Sequence, residues 1–173
     1  MAKLIIAAMY PDEGVYEKTK DILVKKFGNI KKELPEYKFN FTDYYEKEMG
    51  KNLKKRFIVF SKPITQKQLV DIKIKTDRIE KQLSTPRKLQ SNFRGFKNRR
   101  FLNAGKRTIN LDPGYLTKKE LVLASWKQKP FKYNAGKNVY YHKVLEFKNN
   151  KAMIFNHTFK DYRLKKRWFL KIR

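Results

Sequence analysis

Apolar and polar positions in the first forty residues follow the spacing of a strand, a helix and a second strand. Residues 3–10 form a short apolar run that is typical of a buried strand. Apolar side chains then recur at helical spacing over residues 15–27, where Asp12 is placed to cap the helix and Gly28 to end it. Aromatic residues at alternate positions predict a further strand within residues 30–41.

The next seventy residues repeat this order. Residues 56–61 are apolar enough for a third strand, and Thr65 with Gln68 forms a capping box that predicts the start of a second helix. A fourth strand is predicted at residues 107–111. The order strand, helix, strand, strand, helix, strand is that of the split βαβ or ferredoxin-like unit.

The remainder of the chain predicts a helix, a hairpin and a second helix. Thr117 and Glu120 form another capping box, which favours a helix over residues 117–128. Two strand-like segments, 138–147 and 151–156, flank a polar turn at 148–150 and indicate a hairpin. The basic segment 158–173 is predicted to be helical.

These elements predict an α+β protein that forms one domain over residues 1–173, a length typical of a single domain. Its ferredoxin-like (split βαβ) core covers about residues 1–112. A basic insertion at 84–106 interrupts that core, and residues 113–173 form a C-terminal helix–hairpin–helix extension.

The net charge is the feature of the composition that says most about function. Lys and Arg number 43 against 16 Asp and Glu, which gives a net charge of +27 and favours a polyanionic partner. Lys far outnumbers Arg, a skew that an A/T-rich genome also produces, so the charge alone leaves both explanations open. RNA is the expected partner ahead of DNA. The candidate nucleic-acid contacts are Arg87, Lys88, Arg94, Lys97, Arg99, Arg100, Lys106, Arg107, Lys165, Lys166 and Arg167.

The residue types and motifs that the sequence lacks exclude several classes of protein. There is no Cys, which removes disulfides and thiolate chemistry, and no apolar run is long enough to cross a membrane. We therefore expect a cytoplasmic protein without a membrane partner. The two histidines, His142 and His157, fit no zinc motif, and no phosphate-binding loop is present. His157 and Asp161 stand four residues apart and are interpreted as a surface pair.

Acidic residues are scarce, yet three of them fall within residues 43–48, beside two phenols. Asp43 and Glu48 could bind a divalent cation such as Mg²⁺ or Mn²⁺, or act with Tyr44 as acid and base. The alternative is a helical turn that Thr42 or Asp43 caps and Gly50 ends. Residues 112–114, Asp-Pro-Gly, are typical of a turn, and Asp112 is the fourth candidate for catalysis.

Two segments carry a family resemblance. FNFTDYYEKEMG, from Phe39 to Gly50, and RTINLDPGYLTKKELVLAS, from Arg107 to Ser125, resemble the bacterial DUF4416 family, as do LIIAAMYPDE, KKRFIVF and HTFKDYR. The family has no known function. The resemblance implies that both segments are signature elements. Their polar and small residues then become functional candidates: Asp43, Tyr44, Tyr45, Glu48, Asn110, Asp112, Gly114 and Tyr115. Family members usually have a His near the position of Phe131.

Strand directions in a ferredoxin-like sheet predict that these segments lie apart. The loop with Asp43 and Glu48 follows the second strand, and the turn with Asp112 follows the fourth, so we expect them at opposite ends of the sheet. The leading hypothesis is a basic protein that binds RNA or another polyanion. The alternatives are a metal- or nucleotide-dependent enzyme that uses Asp43, Glu48 and Asp112, and a structural component of a larger assembly.

Overall fold

The computed structural model of the chain describes residues 1–84 and 107–173. The described residues form nine strands and five helices. In chain order they are β1 (Ala2–Tyr10), α1 (Glu13–Phe27), β2 (Ile30–Glu33), β3 (Tyr37–Lys38), α2 (Glu46–Met49), β4 (Lys54–Ile64), α3 (Gln68–Leu83), β5 (Asn110–Leu116), β6 (Glu120–Ser125), β7 (Tyr133–Gly136), β8 (Val139–Lys148), β9 (Lys151–Ile154), α4 (Lys160–Leu164) and α5 (Lys166–Ile172).

All nine strands belong to one antiparallel sheet. Its main path runs β2-β4-β1-β5-β6-β8-β7, while β3 pairs with β4 and β9 pairs with β8. A two-residue turn joins β8 to β9, and both of its residues, Asn149 and Asn150, have the positive φ that tight hairpin turns require. The α+β class with a large antiparallel sheet is confirmed.

Strand β1 lies between β4 and β5 and is buried on both faces of the sheet. Leu4, Ile6 and Ala8 point into one apolar cluster, and Ile5 and Ala7 point into the other. Because alternate side chains of a strand face opposite ways, a continuous apolar run can fill two cores at once. The predicted buried strand at residues 3–10 is therefore confirmed.

Helices α1 and α3 cover the first face. Asp12 accepts a hydrogen bond from the Val15 amide at 3.1 Å, and Gly28 ends α1 with φ of 93°. The capping box at α3 is confirmed, since the Thr65 amide donates to Gln68 Oε1 at 2.7 Å. Both helices pack on the strands through the first apolar cluster.

The opposite face is covered by the C-terminal residues. Instead of one long helix they form α4 and α5, whose Tyr162, Phe169 and Ile172 are buried in the second apolar cluster. The ring of Phe57 lies between them, with its centroid 4.9 Å from that of Tyr162 and 5.0 Å from that of Phe169.

The helix predicted over residues 117–128 is wrong. Leu121 to Ala124 are all buried and lie in β6, between β5 and β8. Thr117 and Glu120 close the tight turn before this strand: the Thr117 amide donates to the Glu120 carbonyl at 2.9 Å, and the Glu120 amide donates to Thr117 Oγ1 at 3.1 Å. A pair that caps a helix and a pair that closes a tight turn can both have this three-residue spacing. The strand is favoured because residues 121–124 are buried between β5 and β8.

The turn predicted at residues 112–114 is also wrong, because these residues lie within β5. Asp112 is opposite Ala7 of β1, and Gly114 is opposite Ile5. A Cβ atom added to Gly114 would lie 2.5 Å from the Val122 carbonyl oxygen of β6, so this glycine permits the close approach of two strands. β5 therefore runs through residue 112, where the sequence placed the end of the core.

Two further predictions from the sequence concern the insertion and the absence of a membrane-spanning helix. The candidate insertion at 84–106 falls, except for Ser84, outside the described residues, between α3 and β5. Within residues 1–84 and 107–173, no helix is both long and apolar enough to cross a membrane.

The first prediction follows from the close contact at Gly114 and concerns the free energy of unfolding. Gly114→Ala should lower the free energy of unfolding by about 2–3 kcal/mol, because the new methyl group would overlap the backbone of β6. Gly136→Ala is the matched control: no atom lies within 4 Å there, and only its φ of +100° is unfavourable, at about 1 kcal/mol. Urea unfolding measures both. Equal losses would contradict the steric argument.

Candidate functional site

The two family-like segments meet at one end of the sheet. Tyr10, the last residue of β1, pairs with Lys54, the first residue of β4, which follows the loop 42–52 after one residue. Met9 pairs with Asn110 at the start of β5. The expectation that they lie at opposite ends is therefore wrong. The reason is that β5 begins at Asn110 instead of ending at residue 111, which brings Asp112 close to the loop.

A cleft lies where these segments meet. It has two lobes, of about 580 and 440 Å³, which share Tyr44, Tyr45, Asp112, Lys127 and Phe159. The larger lobe, here the aromatic lobe, is also lined by Phe39, Phe41, Lys55, Asp161 and Tyr162. The smaller, here the basic lobe, is also lined by Glu48, Lys73, Arg107, Asn110, Trp126, Lys129, Phe131, Lys132, His142 and His157.

A hydrogen-bond network holds Asp112 in place. Its Oδ2 accepts from Asn110 Nδ2 at 2.8 Å, and Asn110 Oδ1 accepts from the Arg107 guanidinium at 2.5 Å. Arg107 also pairs with Glu80 of α3 at 2.7 Å. Burial raises the pKa of the Glu80 carboxyl above its ordinary value, although Lys73 and Arg107 oppose that rise. In the described part, Asp112 makes no ion pair within 4.0 Å.

The aromatic lobe has a buried ion pair in its wall. Lys55 Nζ lies 2.6 Å from Asp161 Oδ2, and both side chains are almost fully buried. The Tyr37 hydroxyl donates to the same oxygen at 3.1 Å. Three rings, of Phe39, Phe57 and Tyr162, lie 5.1–5.4 Å from the ammonium group. The expected surface pair of His157 with Asp161 is therefore wrong, since Asp161 is buried against Lys55.

Three rings form a parallel stack at the basic lobe. His157 lies between Phe131 and Phe155, with centroid distances of 4.2 and 5.2 Å and interplanar angles of 3° and 2°. His157 Nε2 lies 3.0 Å from the Lys143 carbonyl oxygen, which fixes the ring. Phe131 is 44% exposed, so the end of the stack meets solvent.

His142 lies beside this stack. Its ring centroid is 5.0 Å from that of His157 and 5.1 Å from that of Phe131. The side chain is 2% exposed, and its Nε2 has no hydrogen-bond partner among the described residues. Burial, with smaller contributions from Lys132 and His157, lowers the pKa of His142 to about 4, so its imidazole is neutral at neutral pH.

Three lysines of the segment between β6 and β7 border the cleft. Lys127 Nζ donates to the Tyr44 hydroxyl at 2.7 Å, and Lys132 Nζ donates to Ser125 Oγ at 3.0 Å. Burial and the nearby charges of Lys127 and Lys129 lower the pKa of the Lys132 ammonium. None of the three has a carboxylate within 4.0 Å in residues 1–84 and 107–173.

The chain was also compared with models of protein families, with curated proteins and with solved structures. The family model of a domain of unknown function, DUF4416, matches residues 1–96 and 97–173. The chain belongs to the DUF4416 family. No match to it was found among curated proteins or among solved structures.

Three of the four catalytic candidates of this DUF4416 protein line the basic lobe, namely Tyr44, Glu48 and Asp112. Asp43 lines neither lobe. It is exposed, and its carbonyl oxygen accepts from the Glu46 amide at 3.0 Å. The predicted cap by Thr42 or Asp43 is wrong, because α2 has Tyr45 at its N-cap and no side-chain cap, while Thr42 Oγ1 accepts from the Tyr44 amide in the turn before it. Gly50 ends α2 as predicted, with φ of 89°.

The metal candidates are not brought together. Glu48 lies 3.4 Å from Arg107, and Asp43 lies outside the cleft. Across the described ranges 1–84 and 107–173, no group of three or more His, Asp or Glu side chains could hold a metal ion. Binding of Mg²⁺ or Mn²⁺ by Asp43 and Glu48 stays a prediction.

The nucleic-acid candidates are spread over three places. Arg107 lines the cleft and is held by Glu80 and Asn110. Lys165 lies over the ring of Tyr37 at 4.8 Å, while Lys166 and Arg167 border a surface groove beside β9. Seven candidates lie outside the described residues: Arg87, Lys88, Arg94, Lys97, Arg99, Arg100 and Lys106.

Sequence reasoning missed most of the cleft wall. Lys55 and Asp161 are 106 residues apart, and no local pattern marks them as a pair. Phe131, His142 and His157 come together only through β8 and the segments on either side of it. The family resemblance implied a His near position 131, where this chain has Phe131, and gave none of the partners of that ring.

The buried ion pair makes the second prediction. Asp161→Ala should lower the free energy of unfolding by about 3–5 kcal/mol, because it leaves the Lys55 ammonium buried without a partner. The double variant Lys55→Met with Asp161→Leu should recover most of that loss, since neither charge remains. Chemical unfolding measures both. A double variant no more stable than Asp161→Ala would contradict this account.

The third prediction concerns pH. An unfolded His has a pKa near 6.5, and that of His142 is about 4, so between these values the unfolded chain binds a proton that the folded chain does not. Stability should therefore fall as the pH drops through this range, with His142 contributing on the order of 2–3 kcal/mol by about pH 4.

The measurement is urea unfolding of the parent and of His142→Gln at a series of pH values. The carboxylates titrate in both proteins, so the difference between the two curves isolates His142. The parent should lose more stability than the variant on acidification. Parallel curves from neutral pH to about pH 4 would show that His142 is not the group responsible.

Proposed function

We propose that this protein binds single-stranded RNA and that its cleft takes a nucleotide of the bound strand. The observation that carries the proposal is that solvent-exposed aromatic rings and unneutralised lysines occur together in one concave site. Proteins that bind single-stranded nucleic acid combine these two features, because every base has a face that stacks and every linkage has a charge.

The rings supply stacking surfaces. Tyr44, Phe131 and Phe159 are 57%, 44% and 48% exposed, which is unusual for large aromatic side chains in the interior of a cleft. Phe131 is already the outer member of a parallel stack on His157 and Phe155. A base placed on Phe131 would continue that stack by one ring.

The charges supply the attraction for phosphate. Most carboxylates that border the cleft are already bound, Asp161 to Lys55 and Glu48 to Arg107. Lys127, Lys129 and Lys132 remain without an acidic partner in the described part, and their mutual repulsion favours an anion beside them. The net charge of +27 adds long-range attraction for a polyanion.

The cations of segment 84–106 are also proposed as RNA contacts, on the charge of the sequence alone, because all of this segment except Ser84 lies outside the described residues. Lys165, Lys166 and Arg167 are proposed as further phosphate contacts. Trp168 is not proposed to stack on bases, since its ring packs on Phe57 and Phe169.

The finer fold belongs to this proposal as well. We infer that β1, α1, β2, β4, α3 and β5 form a ferredoxin-like core. Support comes from the strand order β2-β4-β1-β5, with every neighbouring pair antiparallel, and from the two helices on one face. β6, β8 and β7 then extend this core at the β5 edge.

An enzyme is the second candidate, and one observation favours it. Tyr44, Glu48 and Asp112 line the same lobe, in which the neutral imidazole of His142 is also present. A carboxylate and an imidazole are groups that transfer protons in catalysis. Cleavage or modification of the bound RNA, detected by mass spectrometry of the recovered strand, would favour this candidate.

The fourth prediction tests RNA binding by fluorescence anisotropy of a short labelled strand at increasing salt. Log affinity should fall linearly with log salt, by about 0.7 per phosphate contacted. Lys127→Ser with Lys129→Ser should make that slope shallower by about one unit. Phe131→Ala should weaken binding about tenfold and leave the slope unchanged, because it removes stacking and no charge.

Matched controls lie outside the cleft and outside the groove beside Lys166 and Arg167. Lys118→Ser with Lys119→Ser removes two exposed lysines beside the turn between β5 and β6, and Tyr133→Ala removes an exposed aromatic side chain of β7 that lines neither lobe. The lysine control should leave the salt slope unchanged, and the other control should leave the affinity unchanged. Undetectable binding at low salt would end the proposal, and cleft variants that match these controls would end the assignment of the cleft.

A further inference from the structure

We propose that Asp112 accepts a hydrogen bond from the ribose 2′-hydroxyl of the nucleotide in the cleft, which makes the site selective for ribonucleotides over deoxyribonucleotides. This inference rests on the proposed function and adds a role for the one carboxylate of the cleft that makes no ion pair in the described part. It also assigns the cleft a means of telling RNA from DNA, because the 2′-hydroxyl is what separates the two.

The position of Asp112 suits this role. It lines both lobes, together with Tyr44, Phe159 and Lys127, and so borders the exposed rings and the lysines alike. Its Oδ2 accepts from Asn110, and its Oδ1 accepts no side-chain hydrogen bond from any described residue. Because Asp112 lies within β5, beside the central strand, its carboxylate is held by the sheet and not by a loop.

The chemistry of a carboxylate limits the kinds of ligand that Asp112 can bind. A carboxylate only accepts hydrogen bonds, so its ligand must donate. A phosphate does not donate at neutral pH and would be repelled. The 2′-hydroxyl of the ribose is neutral, donates a hydrogen bond and is free at every nucleotide of an RNA strand, including internal ones whose 3′ oxygen is esterified, so it is a group from which this carboxylate can accept.

A second observation points to a polar ligand at this place. The hydroxyl of Tyr162 is fully buried and has no hydrogen-bond partner among the described residues, although its side chain lines the aromatic lobe. Burial, with the charges of Asp161 and Asp112, raises its pKa, so the phenol keeps its proton. Burial and Asp112 do the same for Tyr45. The cleft thus sets two phenol donors near one carboxylate acceptor, and sugar oxygens can both donate and accept.

The fifth prediction compares strands of one base sequence that differ only in the sugar. Anisotropy titrations with chelator present use a uridine-containing RNA and its deoxyuridine counterpart. The parent should bind the RNA about tenfold more tightly, the usual size of one hydrogen bond to a charged group. Asp112→Ala should bring the ratio to about parity. The ratio is the readout because removing a negative charge strengthens binding of both strands.

Asp43→Ala is the matched control, because it removes the same charge from an exposed residue outside the cleft, and it should keep the RNA preference. Asp112→Asn keeps the shape of the side chain and should retain part of the preference, which covers the case in which Asp112→Ala does not fold. A strand with 2′-O-methyl groups needs no variant, and its binding by the parent should fall to the DNA level.

The outcomes separate this inference from the proposed function. Equal binding of RNA and DNA by the parent, with the Lys127 and Phe131 effects intact, would overturn the role of Asp112 and leave RNA binding in the cleft. A preference that follows the base and not the sugar would do the same, in favour of a contact to the base edge. Loss of all binding at low salt would remove both.

Discussion

Strand β1 has to be apolar on both sides, and the rest of the molecule depends on that requirement. A strand with helices on one face and α4 and α5 on the other has no contact with water, so Leu4 to Met9 are all buried. Once β1 is central, β4 and β5 must flank it in antiparallel register. That register brings the loop before β4 and the first residues of β5 to the same end of the sheet, which is where the cleft forms.

The few acidic side chains of this chain are used where they hold the structure together. Asp161 anchors α4 to β4 through Lys55, Glu80 ties α3 to Arg107 and to the Leu111 amide, and Asp12 caps α1. With these carboxylates used in internal contacts, Lys127, Lys129 and Lys132 are left without an acidic partner in the described part of the chain. Asp112 departs from this use of acids, since it lies in the cleft with a single hydrogen bond from Asn110.

Local patterns were sufficient for the elements whose sequence permits one structure. The apolar run of β1, the Asp12 cap and the Thr65–Gln68 box predicted three elements correctly. Leu121 to Ala124 suit a helix or a strand equally, and only neighbours on both sides decide in favour of a strand. Residues 112–114 have the composition of a turn, yet Gly114 is there for the approach of β6. For the same reason, sequence patterns identified Tyr44, Glu48 and Asp112 individually. They did not predict contacts between distant residues, such as Lys55 with Asp161 and Phe131 with His157.

The two tryptophans of the chain occupy different environments. Trp126 is 40% exposed and lines the basic lobe, whereas Trp168 is half-buried and packs on Phe57 and Phe169 at the edge of the second apolar cluster. Their emission spectra should differ accordingly, because indole fluorescence shifts to longer wavelength in water. Occupation of the cleft would then be visible at the red edge of the emission and loss of the fold at the blue edge, so the protein contains separate intrinsic optical reporters of its two main transitions.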